Sequence, residues 1–491
     1  YRDWRFERSL AFFTMMRGVV KGIRPEAAWI VNMHAFEDNL KALAEVADVV
    51  QLEAQGRAPG SEGPLWLDAE QGRYLRSIGG GKPYAVVFGA YNAGQRMVAK
   101  TEAELRVWSA CCVASGARPW FHFIGGALED RRALASLEAF FRRHAEHEAC
   151  YRDLRSAADV GVVYSERTSR FLSRPERERE LVGPLRGVTL ALMRGGIPFD
   201  LVHDGDLERG APGRYRALVL PNVECMSGAA CRAVTDYVRS GGGLVASFRT
   251  AWRDEQGGVR GRPGLEEVLG LKATGDPVGP LSHAYARIEE REDIADGFEG
   301  TSVLMGPAHL APVTLEGGAR APLTLIPPVP TMPPEAAWPE VGRTEMPVVA
   351  VSSAGEGRCV YFAGDIDRRY WEERLPDHRR LLVNAVEWAG RGSPPVRVEA
   401  PGIVDVHPYF QAEAARLVIH LVNLSHPNLH KGPLEDLTPI GPVRVRVRAD
   451  LVDGAEATRV CSGEKLEIER GDGFREVCLR RLVDYEIIRF I

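Results

Sequence analysis

The chain reads as an α/β protein in three parts: four βα units amounting to half of an eight-stranded parallel barrel, a second α/β domain, and a small antiparallel β-domain. Short apolar runs alternate with helical segments across residues 1–156, as expected of a parallel sheet with covered faces. The strands are placed at 29–34 (WIVNMH), 48–53 (DVVQLE), 84–91 (YAVVFGAY) and 119–124 (PWFHFI). Helices are placed at 4–22, 36–46, 102–115 and 130–151. A full barrel needs eight such units and about 250 residues, and half of one leaves two open edges and an uncovered interior. The expectation is therefore a missing N-terminal barrel half, upstream of Tyr1 or on another polypeptide, with 4–22 as the helix after strand four.

The second domain, residues 157–392, carries five strand-like runs: DVGVVYS, FDLVHD, RALVLP, GLVASF and RCVYFAGDI. Between RALVLP and GLVASF, Ser227 is positioned to cap a helix that Gly241, Gly242 and Gly243 end. Residues 264–348 are rich in Pro and Gly and read as loops and irregular strands. A helix at 378–389 closes the domain. Past a Pro-containing linker, the alternating runs RLVIHLVNL, VRVRVRADL and YEIIRFI place an antiparallel β-domain in residues 393–491.

With 491 residues, 45% of them hydrophobic and 26% charged, the composition is that of a globular protein. A net charge of -5 offers nothing to nucleic acid, and no apolar run reaches the ~20 residues of a membrane span. The eight cysteines form no CxxC pair; they read as buried free thiols, which points to a reducing cytoplasm and against a metal site. No glycine-rich run has dinucleotide or P-loop spacing, so no cofactor is expected.

The line from 216 to 255, RALVLPNVECMSGAACRAVTDYVRSGGGLVASFRTAWRDE, closely resembles the trimerisation domain of family 42 β-galactosidases. The segments HLVNLSHPNLHKGP and DRRALASLEAFFRRHAEHEACY also resemble family-42-like hydrolases and related glycosyl-hydrolase-like families. That resemblance implies a glycoside hydrolase with its active site at the carboxyl ends of barrel strands. It also implies a carbohydrate substrate and assembly as a homo-oligomer, a trimer in the family. In outline the second domain resembles flavodoxin and class I glutamine amidotransferases. That activity needs a cysteine at a sharp strand-to-helix turn, whereas Ser247-Phe248-Arg249 follows GGLVA and Cys225 follows a different strand. The domain is read as non-catalytic.

Reading the carboxyl ends of the barrel strands gives Asn32 and His34, Glu53, Tyr91 and Asn92, and His122. Glycoside hydrolysis generally needs two carboxyl groups. Glu53 follows VVQL, where a charge is costly unless used or paired; catalysis, substrate binding and a structural ion pair are all open for it. Asn32, His34 and His122 suit sugar hydroxyls, or backbone bonds in the core. Trp66 and Trp120 suit stacking on a sugar, or packing. Tyr91 and Asn92 suit a pocket wall, and Glu129 and Asp130 a helix cap. In the resembled family the acid/base follows strand four and the nucleophile strand seven. Here the first position precedes Tyr1 and the second, residues 90–92, holds no acid. A non-catalytic carbohydrate-binding or scaffold relative is the alternative.

Overall fold

A computed structural model describes residues 2–33, 39–54, 63–92, 95–123, 129–291, 293–452, 454 and 456–491, with backbone alone at 2, 3, 92, 95, 96, 211 and 293. The chain divides into two compact units. The first holds residues 1–158, 196–200 and 394–491; the second holds 159–195 and 201–393.

In the first unit, four parallel strands stand in chain order: β1 (Ile30–Met33), β2 (Val49–Ala54), β3 (Tyr84–Gly89) and β4 (Arg118–His122). They alternate with α1 (Arg2–Ile23), α2 (Leu40–Val46), α3 (Leu67–Ile78), α4 (Glu102–Ala114) and α5 (Arg132–Glu146). Thr101 starts α4 by accepting a hydrogen bond from the Glu104 amide. Each strand matches its expected position to within a residue or two. Residues 84–91 are not one strand, however: β3 stops at Gly89, and Tyr91–Asn92 pairs antiparallel with Gln95–Ala99. The last helix is also shorter than expected, because a 3-10 turn, Glu148–Cys150, follows α5.

The same unit contains the C-terminal β-sheets, of four and six strands. Their alternating aliphatic residues bury one core that includes Val406, Ile419, Leu421, Val445 and Ile488. The six-stranded sheet takes in Arg155–Ser156. A buried ion pair joins α3 to strand Val404–Gln411. The Arg73 guanidinium donates to both Asp405 oxygens, at 3.0 and 2.5 Å, while His407 Nε2 lies 2.9 Å from the same carboxylate. Arg73 also donates to the Phe199 carbonyl. Burial works to raise the Asp405 carboxyl, but the Arg73 cation and the His407 ring outweigh it and hold the group well below the usual carboxylate range. Burial pulls His407 down to about 4.

The second unit is built on a nine-stranded sheet. Val160–Tyr164, Ala217–Leu220, Gly243–Ser247 and Gly357–Phe362 run parallel within it. Ser227 caps helix Gly228–Arg239 by accepting from the Ala230 amide at 3.0 Å. Gly241 turns the chain at φ 106°, which a side chain disfavours. The Pro/Gly-rich stretch is more ordered than its composition suggests. Tyr285–Ile288, Val303–Met305 and Arg320–Ile326 join Pro347–Ala354 as an antiparallel extension of the sheet.

Candidate active site

Register decides which residues of the four-stranded sheet share a face. Asn32 pairs with Gln51, Gln51 with Ala85, Glu53 with Val87, Val87 with Trp120, and Gly89 with His122. Paired residues of parallel strands project to the same side, so Asn32, Gln51, Glu53, Trp120 and His122 form one face. The other face carries Val31, Met33, Val50, Leu52, Val86 and Phe88, all buried. There Phe88 meets Phe121 and Phe140 of α5 edge-on, at 5.6 and 6.4 Å. The polar face is the partly open one: Asn32 and Arg118 are exposed, Trp120 is 45% exposed, and Glu53 and His122 are half-buried, while Gln51, Ala85 and Val87 between them are buried.

Glu53 stands one residue from the carboxyl end of β2, and among the described residues of β1–β4 it is the only carboxylate. Gln71 of α3 donates to its carbonyl at 2.9 Å, fixing the strand end. Gln51 Nε2 donates to Asn32 Oδ1 at 3.1 Å, leaving a fixed amide pair beside Glu53. Trp120 lies two strand spacings away, about 10 Å. Gly89 lends no side chain to the space in front of His122. Tyr91 is buried, its ring edge-on to His122 at 6.5 Å.

The structure thus brings Asn32, Glu53, Trp120 and His122 onto one face, with Tyr91 against His122. His34 lies outside the described residues, as does the side chain of Asn92. Trp66 is corrected. At 1% exposure it is not presented to a ligand; it precedes α3 and its indole packs edge-on against His430 at 5.6 Å. The nearby Leu65 amide donates to the Leu429 carbonyl. Asp130 serves α5, accepting from the Arg132 amide and guanidinium and from the Ala99 amide. Arg132 holds its carboxyl well below the usual range.

Two contributors went unrecognised in the sequence. Gln51 was signalled by alternation alone, two residues before Glu53 on the same face. Lys100, buried over the Trp108 ring at 3.8 Å, donates to the Gly89 carbonyl and pins the end of β3. In the second unit Cys225 is buried, and burial pushes its thiol up to about 12, far from a thiolate nucleophile. All eight cysteines are free and six are buried. Among the described residues, no group of three or more His, Cys, Asp or Glu is placed to hold a metal ion, and no helix is long and apolar enough to cross a membrane.

Residues 158–293 match the family model of the β-galactosidase trimerisation domain. That stretch is similar to the family 42 trimerisation domain. Solved structures agree along the chain's length. An α-L-fucosidase (isoenzyme 2) from Paenibacillus thiaminolyticus has a TM-score of 0.76 at 17% identity, covering 98% of this chain and 70% of that one. For the β-galactosidase of Bacillus circulans the values are 0.74 and 17%, covering 100% and 67%. For that of Rahnella sp. R3 they are 0.70 and 16%, covering 100% and 68%. At such identities the likeness is one of fold. No curated protein sequence matches the chain.

Proposed function

We propose that this family-42-like chain is a glycoside hydrolase cleaving a glycosidic bond in an oligosaccharide or glycoside, β-galactosidase-like, at the polar face of the four-stranded sheet. The observation that carries the reading is Glu53, a carboxylate at a strand's carboxyl end, sharing one partly open face with Asn32, the buried Gln51, Trp120 and His122. A parallel α/β barrel places its reacting groups at such strand ends. In this reading β1–β4 are the C-terminal half of a barrel, and Glu53 supplies one of the two carboxyl groups that hydrolysis uses. Asn32 and His122 bind sugar hydroxyls, and the exposed indole of Trp120 packs on a sugar ring. Tyr91 packs edge-on against His122. The trimerisation domain supports assembly as a homo-oligomer.

A non-catalytic, carbohydrate-binding reading is favoured by one feature: Ala90, Tyr91 and Asn92, after β3, include no acid. Aryl β-D-galactosides, α-L-fucosides and α-L-arabinosides separate the two. The hydrolase reading expects aryl alcohol release above the buffer rate from at least one. Saccharide binding with no release from any would establish the scaffold instead.

A further inference from the structure

The second unit holds a cavity of about 610 Å³ that the proposed hydrolysis does not use. It opens where the parallel strands Ala217–Leu220 and Gly243–Ser247 end, since Glu224, Cys225, Phe248 and Arg249 line it. Open α/β sheets bind ligands at that edge, and the volume falls within the range of small-molecule sites.

Its cations are already neutralised. Arg249 lies 3.4 Å from both Glu180 and Glu224. Arg253 pairs with Glu224 at 2.7 Å, Arg179 with Glu180 at 2.7 Å, and Arg368 with Asp365 behind the wall. A charged ligand would have to break these pairs, at a desolvation cost. A neutral hydroxylated ligand would not: its hydroxyls accept from guanidiniums and donate to carboxylates together.

The apolar wall is provided by Phe171 and Phe248. Phe248 holds φ 47°, unusual for a bulky residue, directly after its strand. Its amide donates to the Phe362 carbonyl and its carbonyl accepts from the Tyr361 hydroxyl at 2.5 Å. Backbone held this way by its surroundings is a mark of functional positions. We infer that this crevice binds a neutral mono- or disaccharide, its hydroxyls on the Arg249–Glu180–Glu224 network and one ring face against Phe248.

Titration calorimetry of the full chain with D-galactose, L-fucose and lactose tests this, with inorganic phosphate and L-glutamine as anionic and zwitterionic probes. Saturable binding of at least one sugar is expected. It should weaken about tenfold or more in Phe248→Gly, which removes the ring and suits the positive φ. Arg249→Met gives the same readout if Phe248→Gly does not fold. Binding of phosphate or glutamine in place of sugars would overturn the inference. So would no sugar binding, or sugar binding retained unchanged in both crevice variants.

Discussion

In the nine-stranded sheet, every residue of Val160–Tyr164, Ala217–Leu220 and Gly243–Ser247 is buried, whereas in the four-stranded sheet Ile30, Asn32, Arg118 and Trp120 are exposed on one side. Parallel sheets normally have both faces covered. The first sheet obeys that rule, so its composition reports packing. The second breaks it on one face, and there the polar residues, Glu53 among them, collect. The contrast separates a sheet whose residues are taken up in packing from one that keeps a polar, partly exposed face.

The largest effect on stability should come from Arg73→Ala, which strands the Asp405 carboxylate in the core of the first unit. Breaking such a buried pair costs about 3–5 kcal/mol, read as a lower denaturant midpoint. Leu218→Ala, in the sheet buried on both faces, should cost about 2–5 kcal/mol. An effect below that range would show that this sheet is not packed as its burial implies.

Acid sharpens the contrast further. His407 is pulled down to about 4 in the folded chain from an ordinary 6.5, so the unfolded state binds the extra proton between those values. Stability from this group is present above about pH 6.5 and lost as pH falls toward 4. Asp405, depressed by its cations, adds a further loss below the ordinary carboxylate value. Thermal unfolding followed from pH 7 to 4 should show that decline, and His407→Gln should flatten its upper part. The smallest stability change belongs to Trp120→Ala on the open face, within about 0.5 kcal/mol. Its effect should fall on saccharide affinity, measured as KM.

Much of this was legible from local pattern. The four strands, the Ser227 cap and the placement of Glu53 at a strand end follow from alternation and capping chemistry, which act over a few residues. Trp66 was not legible as core, because its cover comes from His430, more than 350 positions along the chain. The hairpin after Gly89 and the antiparallel strands in the Pro-rich stretch also depend on long-range pairing that composition does not encode. Gln51 could have been found by counting two residues back from Glu53.

The most direct test of the polar face is the hydrolysis rate of Glu53→Gln against the unaltered chain, on whichever aryl glycoside is turned over, with Tm checked for both. A catalytic carboxylate predicts a kcat fall of about 10² to 10⁴ at unchanged Tm. An unchanged kcat would contradict the assignment and move the chemistry away from this face.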